Sequence, residues 1–213
     1  MIIAFNKPYG MLCQFTPEPL SDYRTLADIG FPSGVYAVGR LDADSEGLLL
    51  LSDEKGLPTS LLDPDAAHER CYWVQVDGEP TPSALNTLRT GTMIKGHFTL
   101  PCEADVLEPQ PAIEERIPPI RIRRSIPTTW ISITLIEGKN RQVRRMCAAV
   151  GFPALRLIRV RIGGLDAASL SLVIGAWRVL TVGERALLFQ QSSVADDGET
   201  ESGHHSDHAD PHQ

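Results

Sequence analysis

Apolar residues in this chain recur mostly at every second position, in short runs closed by glycine, proline or asparagine. This is the spacing of half-buried strands. "IIAF" (2–5) opens the chain and stops at the turn-forming "NKPYG". "GVYAVG" and "GLLLLSD" read as strands either side of the loop "GRLDADSEG". "CYWVQVDG" alternates so that Tyr72, Val74 and Val76 share one face, with Cys71, Trp73 and Gln75 on the other. "WISITLIEG" sets Ile131, Ile133 and Leu135 on one side. "LRLIRVRIGG" puts Arg159 and Arg161 opposite Ile158, Val160 and Ile162.

The period changes in three places. "GLPTSLLDP" predicts a short helix ended before Pro64. "TPSALNTLRTG" predicts another, with Thr81 as N-cap, Pro82 at the first turn, Leu85 and Leu88 inward and Gly91 past the end. "NRQVRRMCAAVG" predicts a third, capped by Asn140 and ended by Gly151. In it Val143, Met146, Cys147 and Val150 form an apolar stripe, with Arg141, Arg144 and Arg145 on the other side. Residues 109–127, rich in proline, predict an irregular crossover between two lobes, and the polar, acidic stretch 191–213 predicts a disordered tail. Short strands mixed with a few helices indicate an α+β fold.

Charge changes this picture most. The net charge is −7, yet residues 116–161 hold 11 basic side chains and one acid, Glu137. Such a basic segment on an acidic chain predicts a polyanion-binding face. Arg121, Arg123, Arg124, Arg141, Arg144, Arg145, Arg159 and Arg161 are the candidates to hold phosphates, since arginine forks match phosphate oxygens. A solvated basic surface with no partner is the plain alternative. No apolar run reaches the ~18–20 residues of a membrane span, and the N-terminus lacks the pattern of a signal peptide. The four cysteines are scattered, which favours reduced core thiols in a cytoplasm over disulfides or a metal site.

Nucleotide-binding glycine motifs and H-E-x-x-H are absent, and His68 and His97 have no nucleophile beside them in sequence. The carboxylates Asp42, Asp44 and Glu46 remain as candidate chemistry. As a bare cluster they fit turn-capping, or the paired acids of a glycosidase.

Longer motifs narrow the choice. "GRLDADSEGLLLLSDE" resembles the signature loop of the pseudouridine synthases, in the branch that modifies ribosomal RNA. "EGKNRQVRRM", "LRLIRVRIGGL" and "FNKPYG" resemble other motifs of that branch, in the same order. "PPIRIRRSIPTTW", and the lack of an RNA-binding domain before residue 1, are similar to members acting on large-subunit ribosomal RNA. The resemblance implies a central mixed, mostly antiparallel sheet in two lobes over residues 1–190, with flanking helices and a catalytic cleft. It implies isomerisation of uridine to pseudouridine in ribosomal RNA, without cofactor or metal, by a monomer. Asp42 would be the essential carboxylate, as nucleophile or as base. Arg40 would fill the stack left by the flipped uridine, Tyr72 would pack on the base, Lys139 would sit against Asp42, and Leu157 would line the pocket. Asp44 and Glu46 would serve the loop by bonding amides or basic groups. A non-catalytic ribosomal-RNA-binding or assembly factor on the same fold is the alternative.

Overall fold

The computed structural model describes residues 1–120 and 126–190. Arg121, Arg123, Arg124 and the 191–213 tail lie outside these residues. The alternating segments become one mixed sheet. Its strands are β1 (Ile2–Lys7), β2 (Tyr36–Val38), β3 (Glu46–Ser52), β4 (Arg70–Asp77), then a small separate hairpin of β5 (Met93–Ile94) and β6 (His97–Phe98). It continues with β7 (Glu103–Val106), β8 (Thr128–Leu135), β9 (Ala154–Ile162), β10 (Leu165–Asp166) and β11 (Trp177–Val179). The spatial order is β11-β1-β3-β9-β4-β8-β7, with β2 on β3 and β10 on β9. Every pair is antiparallel except β3 with β9.

That parallel contact is brief: Glu46 faces Ile158 and Gly47 faces Arg159. Beyond it β2 takes the place beside β3, pairing Tyr36 to Val38 with Ser52 to Leu50. The sheet therefore splits into two lobes hinged at the start of β3.

Alternation along β3 serves two cores. Leu48 and Leu50 pack with Ile2, Ala4, Ile162 and Leu165 on one face. Leu49 and Leu51 pack with Phe5, Met11, Leu26 and Leu41 on the other. The short helix expected after β3 is α1 (Leu57–Leu62), and the second lobe buries Val74, Val76, Ile131, Ile133, Leu135 and Leu157 beneath the helices α2 (Pro82–Thr90) and α3 (Gln142–Ala149). Tyr72 touches this core and the Leu49 core, so both lie on the same side of the sheet, with a cleft between them.

Most of the local grammar appears as expected. The Thr81 hydroxyl accepts from the Ala84 N–H, with Pro82 at the first turn. Val143, Met146 and Cys147 are the buried stripe of α3. Its N-terminus differs from the expectation. Arg141, not Asn140, is the N-cap, held at φ 52°, and the Asn140 Oδ1 accepts instead from Arg145 at 2.6 Å. Gln142 replaces the missing cap by reaching back to the Lys139 N–H, 2.9 Å away.

Gly47 makes the lobe junction possible. At φ 98° a Cβ there would lie 2.4 Å from the Arg159 carbonyl oxygen and 2.9 Å from its nitrogen, backbone that cannot swing aside. Gly47→Ala is expected to cost roughly 3 kcal/mol or more, from the strained conformation and the forced separation of the strands. Chemical denaturation measures this, and a loss below about 1 kcal/mol would mean that the junction relaxes easily.

Candidate active site

The loop from Gly39 to Ser45 crosses the mouth of the cleft. Its rigidity begins with the apolar β3 behind it, whose residues Glu46 to Ser52 are all buried. A lysine fastens it from below. Lys7, at the end of β1, is fully buried. Its amine donates to the carbonyls of Ser45 at 2.7 Å and Pro8 at 2.9 Å, with that of Ala43 at 3.5 Å. Burial lowers the Lys7 pKa from 10.5 to about 8, against the pull of Cys13 and of the acids Glu46, Asp44 and Asp42. Lys7 is not among the residues that the sequence patterns single out, because "NKPYG" reads as a turn. The signal available was a lysine ending an otherwise apolar strand.

A depressed lysine has a defined effect on stability. Between pH about 8 and 10.5 the unfolded chain holds more protons at this amine than the folded one, so its contribution to stability rises with pH across that window. The stability of the native protein minus that of Lys7→Met should therefore grow from pH 8 to 10, measured by denaturant unfolding. A pH-independent difference would contradict the burial of a titrating amine.

Asp42 stands in this loop partly open to the cleft, its side chain 28% exposed. The cation beside it is Arg141, at 3.6 Å. The same guanidinium forks onto Asp44 at 3.0 and 2.8 Å. Arg144 adds a contact to Asp44 at 3.4 Å and donates to its backbone carbonyl at 2.6 Å. Burial alone would push Asp44 up, but the Arg141 hydrogen bonds and both arginine charges outweigh it and hold the carboxyl below its usual range. The left-handed backbone of Arg141, which costs roughly 1 kcal/mol, sits where its side chain spans the cleft to the loop. Lys139, expected in that role, is instead exposed, and its side chain forms no ion pair among the described residues.

Tyr72, Leu157 and Arg159 lie on the neighbouring strands β4 and β9, Tyr72 opposite Arg159 and Val74 opposite Leu157. Leu157 is buried in the second lobe's core, and half-buried Tyr72 bridges the two cores. Arg159, expected on an exposed basic face, is 3% exposed. Its Nε donates to the Leu48 carbonyl at 2.8 Å, while one terminal nitrogen is buried without a hydrogen-bond partner. Arg159 lies opposite Tyr72 in register, on the face of the sheet that both cores share, and is buried there. Arg161 is also engaged, to Glu69 at 2.9 Å. The expected basic wall is thus narrower than the sequence suggested: Lys139, Arg141 and Arg145 line its open part, while Arg144 is turned inward. Arg40 lies exposed on the loop itself.

Glu46 and Asp44 bond basic groups, as expected of them, and one partner was missed. Glu46 is clasped by Arg156 at 2.7 and 2.8 Å, both side chains buried. Among the described residues no group of three or more His, Cys, Asp or Glu could hold a metal ion, and no helix is long and apolar enough to cross a membrane.

A partly exposed acid with arginines reaching it from the other lobe fits a site for an anionic substrate. Comparison with known proteins agrees. The family model for RNA pseudouridylate synthase matches residues 1–149, so the chain belongs to this family of enzymes. A ribosomal large subunit pseudouridine synthase E of Xanthomonas campestris pv. campestris is 48% identical over 84% of this chain and 95% of that relative. One from Vibrio vulnificus is 46% identical over 85% of this chain and 75% of its own length. The dual-specificity RNA pseudouridine synthase RluF of Escherichia coli K12 is 30% identical, with 58% of its length covered. A pseudouridylate synthase crystal structure superposes with a TM-score of 0.72 at 26% identity, covering 88% of this chain and 73% of the other.

Proposed function

We propose that the protein isomerises one specific uridine of large-subunit ribosomal RNA to pseudouridine, with Asp42 as the essential carboxylate. The observation that carries this is the placement of Asp42, partly exposed in a loop pinned by Lys7 and bridged by Arg141 across the cleft. The 48% identity to a large-subunit synthase over 95% of that relative's length supports the choice of substrate.

In the reaction the bond from C1′ to N1 of the base breaks, the base rotates in the site, and a bond from C1′ to C5 forms. The C5 proton is lost and N1 gains one, so nothing is consumed and no cofactor is called for. Flipping the uridine from its stack costs on the order of a few kcal/mol. Tyr72 would offer the base a stacking surface, Leu157 an apolar edge, and exposed Arg40 would occupy the gap. Lys139, Arg141 and Arg145 would hold the phosphates on the far side, with Arg121, Arg123 and Arg124 as further candidates. Residues 1–190 act as one catalytic unit, a monomer working in the cytoplasm.

Mapping pseudouridines in large-subunit RNA from cells with and without the gene tests this. One position should lose its modification when the protein is absent, and regain it on incubation with purified protein. An unchanged map would overturn the proposal.

A further inference from the structure

Next to the Asp42 loop a second concavity of about 740 Å³ opens between the 18–23 loop and the crossover. Rings and aliphatic chains from Tyr9, Leu20, Tyr23, Ile117 and Pro118 line it together with the polar Glu18, Ser21 and Asp22. Leu20 and Ile117, one from each wall, are 107% and 88% exposed. Leu20 is moreover held at φ 63°, a conformation that side chains rarely adopt. With exposed Tyr23 and Ile117 around the same groove it forms an apolar patch kept in water, which points to a ligand as its counterpart.

Two connections join this groove to the reaction site. The turn holding Tyr9 is bonded to the loop, the Gly10 N–H donating to the Ala43 carbonyl at 2.8 Å, one residue from Asp42. Tyr23 on the opposite wall is within electrostatic reach of Arg141. The walls are also fixed in place. The Arg116 guanidinium lies 4.0 Å from the centre of the Tyr9 ring, and its Nε donates to the Pro118 carbonyl at 2.9 Å, tying the crossover to the turn.

We infer that this groove takes the unpaired base of a nucleotide adjacent to the isomerised uridine, on the same RNA strand. The inference rests on the function proposed above. Charge orients the strand: Glu18 and Asp22 in the groove repel phosphate, while Arg141, within electrostatic reach of Tyr23, attracts it on the side of the Asp42 loop. The backbone therefore follows the cation and turns the base towards the tyrosines. Rings flanked by aliphatic chains accept any base face, so the groove adds affinity and demands an unstacked neighbour more than it reads sequence.

The test uses the full-length protein and an in vitro transcript spanning the mapped position. Tyr23→Ala should raise KM for the transcript roughly ten-fold, with kcat within about two-fold, as expected for loss of one stacking partner. Tyr23→Phe, which keeps the ring, should behave as the native protein. The double variant Leu20→Ala/Ile117→Ala changes only exposed chains, so it should fold normally and raise KM several-fold. A benzophenone amino acid at position 117 should photo-crosslink to a base directly beside the modified one. Unaltered KM in both alanine variants, or crosslinking to a second copy of the chain, would overturn the assignment. If the native protein modifies the transcript and the variants match it, only the groove assignment fails. If the native protein forms no pseudouridine, the function above fails and this inference with it.

Discussion

Asp42→Asn is expected to abolish pseudouridine formation while leaving affinity for large-subunit RNA within a few-fold. The substitution keeps the size and the hydrogen-bonding shape of the side chain, and removes only the charged oxygen. Either role open to Asp42, attack on the sugar or removal of a ribose proton, needs that oxygen, so turnover should fall by roughly 10³-fold or more. The fold should not suffer. The Lys7 clamp acts on loop carbonyls, and Arg141 keeps its two-point contact with Asp44, so neither anchor depends on the Asp42 charge. Phosphate contacts dominate affinity, and in the function proposed above they fall to Lys139, Arg141 and Arg145 rather than to Asp42. Single-turnover assays with matched filter-binding measurements separate the two effects. Readily measurable turnover in Asp42→Asn would exclude Asp42 as the essential group, and equal loss of binding and turnover would make it a structural residue.

Local grammar was legible wherever a pattern needed only near neighbours. The strand alternation of β4 and β8, the Thr81 cap and the apolar stripe of α3 all follow from residues within about two turns of each other. The loop carrying Asp42 was legible for a different reason, its long motif. What escaped depends on partners far along the chain. Alternation puts Arg159 and Arg161 on one face, but an irregularity in the β4–β9 register sets Arg159 opposite Tyr72 and Arg161 opposite Cys71, on opposite faces of the sheet, and Arg159 ends buried against β3. The basic wall looked wider than it is because its neutralising acids come from distant stretches: Asp44 lies 97 residues before Arg141, and Glu69 lies 92 before Arg161. At the start of α3 the local rule itself was overridden. Asn140 is the better cap by propensity, yet Arg141 takes the position because its guanidinium gains Asp44 across the cleft. That gain also displaces Lys139 from the expected place beside Asp42.

The same distance effect makes Arg156→Met the most destabilising change expected away from Asp42. Arg156 and Glu46 are 110 residues apart, 4% and 6% exposed, and joined at two points. The third arginine nitrogen donates to the Glu114 carbonyl at 2.7 Å, holding the crossover against the sheet. Removing one member of a buried pair strands the other charge, which costs about 3–5 kcal/mol. In a domain of this size that lowers Tm by roughly 10 °C. By contrast the exposed pair of Arg89 with Asp105 is screened by water and should be removable with little effect. Arg156→Lys should recover only part of the loss, since an ammonium cannot fork onto both carboxylate oxygens. The double variant Glu46→Leu/Arg156→Met should regain most of the stability, because no charge remains buried. It should not regain activity, because Glu46 begins the strand that holds the Asp42 loop, and the tether from Arg156 to Glu114 is gone. Thermal unfolding and turnover of all three variants decide the matter. Arg156→Met within about 1 kcal/mol of the native protein would mean that water reaches Glu46 and the pair is not buried in solution.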